Sequence, residues 1–399
     1  MAGPRAWTFP QRLVGASDPP ATPGSMAAVL ARAAGELRRA SRRDPLGAGA
    51  GSLLLCELLG PAVDAIEDPV GTLAGATTRT IDLVAPLIAA APADEATRDA
   101  WLGRAFAALT ADEAGHVRRL AEHWGALCGG PARAAAWAVR LLPAAREGLA
   151  SAASIACLSS QVAAGQHAAA LELLGARPVE VWPERQFGVR ALAAGGEVDA
   201  ALAYARASNP LGHRHARDIA RVCEQVLRAA GRAEQAYAQF AFAAHARQNC
   251  RLTFEALRRA YPEVADSRLL GDLLAASPGQ EGRWFATACA LRFFALAVEI
   301  AETSPCDPRT LLRAGLVRLD ADPEFAREVA VAALRWTCGG HGVEVTGDEV
   351  YAAFDLARAA AERTGTLPRT RSRIAAACDD PHPAAQWVLG LLAAELRPG

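Results

Sequence analysis

Residues 189–205 read "VRALAAGGEVDAALAYA", and this stretch decides the fold that we predict. Alanine, leucine and arginine, which favour helices, lie on both sides of Gly196. Glycine tolerates the left-handed backbone conformation that a tight corner between two helices requires. Ala201 follows five residues later, where a small side chain lets the two helix backbones approach closely. The stretch therefore predicts a helix, a turn and a second helix.

The same pattern occurs three times, with a hinge glycine and an alanine five residues after it. The three pairs are Gly165 and Ala170, Gly196 and Ala201, and Gly231 and Ala236. Successive hinges are 31 and 35 residues apart. A fourth copy, "WFATACALRFFALAVEIA" (284–301), keeps the alanine as Ala297 but has Arg292 at the hinge. The repetition predicts a series of helix–turn–helix units.

This register resembles tetratricopeptide (TPR) repeats, which have a glycine at the turn and an alanine five positions later. The resemblance extends over roughly residues 150–305 and is degenerate, because most bulky residues of the family consensus are missing. The blocks "AGRAEQAY", "SPGQEGRWFA" and "SPCDPRTLLRAG" are also similar to uncharacterised bacterial α-helical repeat proteins. The resemblance implies an all-α fold in which antiparallel helix hairpins stack as a TPR-like α-solenoid. Stacking is needed because one hairpin cannot bury its apolar face alone.

The rest of the chain predicts helical regions on both sides of the repeats. Residues 1–25 are rich in proline and glycine and predict a flexible N-terminal arm. An N-terminal helical bundle is expected at 26–150, followed by the repeats at 151–305. A C-terminal helical region at 306–399 is expected to cap the repeats, because its last helix is apolar on most faces.

Composition restricts the classes of function and the location. The 399 residues carry a net charge of −1, which favours neither a nucleic acid nor a membrane surface as partner. All 42 basic residues other than histidine are arginine, which is typical of a GC-rich bacterial genome. The chain has no uncharged apolar run of about 20 residues, so no transmembrane helix is expected.

Cysteine usage indicates a reducing compartment. The nine cysteines are an odd number, lie tens of residues apart and form no C-x-x-C pair. Free cysteines of this kind usually pack as small buried hydrophobic residues. We therefore expect a cytoplasmic protein without a disulfide framework.

One candidate metal site lies in the N-terminal region. Glu113-x-x-His116, with His123 seven residues later, would place a carboxylate and two imidazoles on one face of a helix. E-x-x-H motifs bind di-iron centres in four-helix bundles, but such centres need a second copy, and the sequence has none. Thr110 and Glu113 also match the S/T-x-x-E capping box. We expect Glu113 to cap a helix that begins at Thr110 rather than to bind metal.

A second candidate is the stretch "RWTCGGHGVEVTGDE" (335–349), which brings Cys338 and His341 together. Three interpretations are open: a metal clip, a reactive Cys/His pair, or the corner between two helices. The two intervening glycines can end a helix in a left-handed turn. Thr346 and Glu349 match a capping box that would start the next helix. The corner is the interpretation that we favour.

No complete catalytic motif is present, and a Walker loop is impossible without lysine. We therefore predict a non-enzymatic scaffold or adaptor that binds another protein or peptide through the repeat surface, without a cofactor. The alternative is an enzyme or metal-binding protein with a site in the N-terminal helices or at Cys338 and His341. A minor alternative is nucleic-acid binding through the arginines of "LRRASRR" (37–43) or "RTRSRIAAAC" (369–378), which the neutral net charge disfavours.

Overall fold

The computed structural model describes residues 7–14, 22–64, 66–148, 151–177, 179–208 and 215–396. All regular secondary structure in these residues is helical, which confirms the prediction of an all-α protein. The chain divides into two compact units between Phe240 and Ala241. This boundary lies inside the segment that we predicted as repeats.

The first unit contains helices α1 to α13. Their bounds are α1 Phe9–Val14, α2 Pro23–Ala40, α3 Pro45–Val63, α4 Thr72–Ala90, α5 Glu95–Ala111, α6 Trp124–Leu127, α7 Pro131–Glu147, α8 Ala152–Ala163, α9 His167–Gly175, α10 Trp182–Ala194, α11 Val198–Ala207, α12 Ala216–Ala229 and α13 Ala233–Ala236. A 3₁₀ segment at Arg118–His123 precedes α6, and a π-helical segment at Tyr237–Ala241 follows α13. Asp44 and Asp94 cap α3 and α5, because each side chain accepts a backbone hydrogen bond from the first turn.

Helix α3 lies in the core of the first unit. Leu53, Leu55 and Leu59 are fully buried, and the helix packs against α2, α4 and α5. Within the described part of the chain, α3 is the one helix long and apolar enough to cross a membrane. Its burial inside the unit matches the core helix of a globular protein, which passes the same test.

Part of the expected flexible arm is instead folded. Residues 9–14 form α1, and Phe9 and Leu13 are buried in the core of the first unit. Trp7 packs against α3 at Gly51, where an added Cβ would overlap the indole ring. Apolar contacts therefore fix this segment despite its composition. The remainder of the arm, at 1–6 and 15–21, lies outside the described residues.

The three predicted corners have one geometry. Each hinge glycine has a left-handed backbone, and the next N–H donates to the carbonyl five residues earlier, which is the bond of a Schellman motif. The φ values are 74° at Gly165, 87° at Gly196 and 75° at Gly231. The alanines five residues later, Ala170, Ala201 and Ala236, are completely buried. The corners join α8 to α9, α10 to α11 and α12 to α13, as predicted.

The second unit contains helices α14 to α23. Their bounds are α14 Phe242–His245, α15 Cys250–Ala260, α16 Asp266–Ala275, α17 Phe285–Ala290, α18 Phe294–Thr303, α19 Pro308–Arg318, α20 Pro323–Cys338, α21 Gly347–Thr364, α22 Leu367–Ala377 and α23 Pro383–Leu392. A 3₁₀ segment at Glu281–Trp284 precedes α17. Helix α20 is the central element, because α18, α19, α21, α22 and α23 all pack against it.

The fourth copy of the pattern also forms a corner. Arg292 has a φ of 64°, and it lies between α17 and α18. The N–H of Phe293 donates to the carbonyl of Ala288 at 2.9 Å, as at the glycine hinges. Ala297 is completely buried. The register therefore fixes the corner even where arginine must adopt the backbone conformation that glycine prefers.

Candidate functional site

The first unit contains a groove of about 640 Å³. Helix α4 and residues 114–123 form one wall, and α8, α10 and α12 contribute the other side. These three are the first helices of the three hinge pairs. The charged and imidazole side chains that line the groove are Asp82, His116, Arg118, Arg119, Glu122, His123, Arg190, His215, Asp218 and Arg221. A groove this polar is suited to a polar or charged ligand.

The carboxylate of Asp82 is the centre of one cluster in the groove. Its Oδ1 lies 3.0 Å from Nε2 of His123 and accepts a hydrogen bond from Nε of Arg119 at 2.8 Å. Burial raises the pKa of Asp82, but the hydrogen bonds and charges of His123 and Arg119 outweigh it and lower the pKa to about 2. Asp82 is therefore ionised throughout the neutral range.

A chain of hydrogen bonds continues from Arg119 to helix α10. Arg119 NH1 donates to Oε2 of Glu122 at 2.6 Å, and Gln186 Nε2 donates to the same oxygen at 2.8 Å. Arg190 NH2 then donates to Oε1 of Gln186 at 3.0 Å. These bonds connect the two sides of the groove and hold the side chains in defined positions.

The backbone of residues 122–125 is fixed by close packing against α8. The hydroxyl of Ser159 on α8 donates to the carbonyl of Glu122 at 3.0 Å and accepts the N–H of Gly125 at 3.0 Å. An added Cβ at Gly125 would overlap the Ser159 carbonyl oxygen. The 3₁₀ segment and α6 therefore lie directly on α8, which positions Arg119, Glu122 and His123 at the groove.

Arg190 differs from Arg119 in its partners. Arg119 pairs with two carboxylates, whereas Arg190 donates to the neutral amide of Gln186 and packs 5.2 Å from the centre of the Phe187 ring. Burial lowers the pKa of Arg190. The carboxylate of Glu122 opposes this shift, and the positive charge of Arg119 adds to it. An added carboxylate at this guanidinium would oppose the effect of burial.

The groove offers an acid–base pair but few groups that could act as a nucleophile. Asp82 orients His123, as a general base requires. The hydroxyl groups of Thr77 and Thr78 both donate to the carbonyl of Ala74. Among the described residues that line the groove there is no serine or cysteine.

The predicted capping box at Thr110 is wrong. Helix α5 continues to Ala111, and the hydroxyl of Thr110 donates to carbonyls of its own helix. The helix ends there because the carboxylate of Asp112 accepts the N–H groups of His116 and Val117, at 3.0 and 2.6 Å, in place of further helical bonds.

Glu113, His116 and His123 consequently do not share one helix face. Glu113 is exposed in the turn after α5. His116 Nε2 lies 3.0 Å from Asp64 Oδ1, and His123 pairs with Asp82. Within the described residues, no group of three or more His, Cys, Asp or Glu side chains is arranged to hold a metal ion.

The stretch at 335–349 forms the corner that we favoured. Helix α20 ends at Cys338, Gly340 has a φ of 77°, and the N–H of His341 donates to the Trp336 carbonyl at 2.8 Å. This is the Schellman bond of the hinges. The capping box of Thr346 and Glu349 is present at the start of α21, which confirms that prediction.

Cys338 and His341 point to different neighbours. Cys338 is completely buried, with its Sγ 3.9 Å from Sγ of Cys378, whereas the His341 ring packs edge-on against Trp336. The contact with Cys378 raises the pKa of the Cys338 thiol, and burial raises it further. The guanidinium of Arg335 donates to the carbonyls of Ala301 and Glu302 and not to the thiol. These surroundings oppose formation of a thiolate.

Asp82, Arg119, Glu122, Gln186 and Arg190 were not singled out from the sequence. Arg119 and Glu122 are three residues apart, a spacing that indicates an ion pair, but no sequence signal connects them to Asp82, 37 residues earlier, or to Gln186, 64 residues later. The chain matches no protein-family model, no curated protein and no solved structure. The site is therefore interpreted from its own geometry.

Proposed function

We propose that the chain is a non-enzymatic, TPR-like helical-repeat protein that binds a segment of another protein in the groove. The observation that carries the proposal is that α8, α10 and α12, the first helices of successive hinge pairs, contribute side chains to one groove. In helical-repeat proteins, consecutive repeats build extended surfaces of this kind for peptides. Nine free cysteines support a reducing, cytoplasmic location for this activity.

The charges of the groove favour a partner segment that contains Asp or Glu. Asp82 and Glu122 are already paired with Arg119, whereas Arg190 has a neutral hydrogen-bond partner. On the far wall, Arg221 NH2 lies 3.6 Å from Asp218 Oδ1, and His215 Nδ1 lies 4.0 Å from Oδ2. These contacts are looser than those of Arg119 and leave Arg221 able to bind a second acidic group.

A random peptide library displayed on phage tests the proposal with the full chain as bait. We expect enrichment of peptides with one or more carboxylates, and affinity for a labelled enriched peptide should fall about tenfold or more in Arg190→Gln. Arg251→Gln is the matched control, because Arg251 is an exposed arginine of the second unit, and it should bind as the wild type does. Failure to enrich any peptide, or equal losses in both variants, would contradict the proposal.

An enzyme with its site in the groove is the second candidate, and the hydrogen-bonded pair of Asp82 and His123 favours it. A panel of activated ester and phosphoester substrates tests this candidate. Turnover by the wild type that is lost in His123→Gln would support the enzyme and contradict a purely binding role. Equal background hydrolysis by wild type and variant would contradict the enzyme.

A further inference from the structure

A cluster of arginines lies in the first unit, apart from the groove. It consists of Arg12, Arg32, Arg39, Arg42 and Arg43, and these residues line a cavity of about 690 Å³ together with Thr8, Glu36 and Ala40. Arg12 belongs to α1, two of the others belong to α2, and two follow α2 directly. All five arginines are exposed. No residue of this arginine cluster lines the groove.

Among the described residues that line the cavity, Glu36 supplies the one carboxylate, and it already accepts hydrogen bonds from Thr8. Glu36 accepts hydrogen bonds from both the N–H and the hydroxyl of Thr8, at 3.2 and 2.6 Å. Arg32 and Arg39 lie four and three residues from Glu36 on α2, the spacing at which helical ion pairs form. Among the described residues, neither makes an ion pair with Glu36 or with any other carboxylate. The five guanidinium groups therefore surround the cavity without an acidic partner from the described chain.

The position of α2 in the fold explains only in part why five arginines line one cavity. Its opposite face packs into the core through residues such as Leu30 and Leu37, so charged side chains must lie on the outer face. Arginine near a helix C-terminus also interacts favourably with the helix dipole, which suits Arg39. The dipole effect does not extend to Arg32, two turns earlier, or to Arg12 on another helix. Neither effect accounts for the presence of Arg12 and Arg32 beside the same cavity.

We propose that the arginine cluster binds a small, soluble, multiply phosphorylated anion. The planar guanidinium fork matches phosphate oxygens through paired hydrogen bonds, and several such groups stabilise a high density of negative charge. The cavity volume lies within the range of small-molecule sites. The described residues that line the cavity include no aromatic side chain on which a nucleobase could stack. The chemistry therefore recognises phosphate groups rather than a nucleic-acid sequence.

Isothermal titration of the full chain with inorganic tripolyphosphate tests this proposal. We expect binding of one tripolyphosphate per chain, with orthophosphate at least about tenfold weaker because fewer arginines can engage it at once. Affinity should fall steeply between about 50 and 200 mM NaCl, since the contacts are charged and exposed. The double variant Arg39→Gln, Arg43→Gln should lose about tenfold or more in affinity.

A matched control comes from the second unit. Arg258→Gln with Arg259→Gln also removes two exposed arginines from the end of a helix, but here Arg258 pairs with Asp266 and Arg259 pairs with Glu255. This variant should bind tripolyphosphate as the wild type does. Far-ultraviolet circular dichroism of both variants should match the wild type, so that a loss of binding reports the site and not misfolding.

Three outcomes would overturn the proposal. The first is no binding of tripolyphosphate by the wild type, or an equal loss in the control variant. The second is tighter binding of a single-stranded oligonucleotide than of tripolyphosphate, which would assign the arginine cluster to nucleic acid. The third is sedimentation with phosphatidylserine-containing vesicles that tripolyphosphate cannot displace, which would assign it to a membrane surface.

Discussion

The groove and the arginine cluster lie in the same unit and are both rich in arginine, but their charges are matched in different ways. In the groove, Arg119 pairs with Asp82 and Glu122, and hydrogen bonds continue to α10. In the cluster, Glu36 is bound by Thr8, and the arginines have no acidic partner among the described residues. Removing a charge should therefore weaken the fold at the groove and relieve repulsion in the cluster.

The largest effect is expected at the most deeply buried ion pair among the described residues of this unit. Arg177 and Glu184 lie 3.3 Å apart with side chains only 7% and 1% exposed, and the hydroxyl of Ser154 contacts both. Arg177→Ala should lower the free energy of unfolding by about 3–5 kcal/mol, because it leaves a buried carboxylate without its cation. Urea denaturation measures the change.

Arg104→Ala is the control for this prediction. Arg104 pairs with Glu57 at 2.6 Å, but its side chain is 47% exposed. An exposed pair contributes less than about 1 kcal/mol, so this variant should unfold close to the wild-type midpoint. Similar losses of unfolding free energy in the two variants would show that burial does not determine how much an ion pair stabilises this unit.

The next effect is a pH dependence at the groove. The pKa of Asp82 in the folded chain is about 2, below its ordinary value of 3.8. The carboxylate therefore contributes stability that is fully present above about pH 4 and is lost as the pH falls toward 2. Asp82→Asn should cost about 2 kcal/mol at neutral pH, and the difference from wild type should disappear in acid.

Thermal unfolding at a series of pH values measures this difference. Asp99→Asn is the control, because Asp99 forms an ion pair with Arg133 but is 63% exposed. Its difference from wild type should be small and nearly constant with pH. A constant difference for Asp82→Asn as well would mean that the contacts with His123 and Arg119 do not hold the carboxylate ionised.

The smallest effect, and one of opposite sign, is expected in the arginine cluster. Arg39→Gln with Arg43→Gln should raise the thermal midpoint slightly in the absence of phosphate, because it removes like charges that face the same cavity. The gain should shrink as salt is added, since exposed charges are screened. A drop in the midpoint at low salt would show that these arginines have partners that stabilise the fold, and would remove the contrast with the groove.

Sequence reasoning predicted the corners well because each one depends on local chemistry. The corner requires a left-handed backbone at Gly196 and a small side chain at Ala201, and these two positions are only five residues apart. The capping box of Thr346 and Glu349 is equally local. Features of this kind are settled by residues a few positions apart, so one sequence is enough to find them.

The groove could not be predicted in the same way. The bond between Asp82 and His123 joins residues 41 positions apart, and that between Gln186 and Glu122 joins residues 64 apart. The capping-box pattern of Thr110 and Glu113 also misled, because helix α5 continues past Thr110 to Ala111 and Asp112 then ends it. Contacts between residues so far apart in the sequence depend on how the helices pack against each other, and helical periodicity carries no information about that packing.

The hinge corners also determine where the chain can change length. The distance from hinge to buried alanine is always five residues, but the distance between successive glycine hinges changes from 31 to 35. An insertion between a hinge and its alanine would displace a fully buried position, whereas an insertion between two hairpins leaves that interval unchanged. Insertions and deletions should therefore be tolerated less within the five-residue interval than between hairpins, so each corner limits where the length of the chain can change.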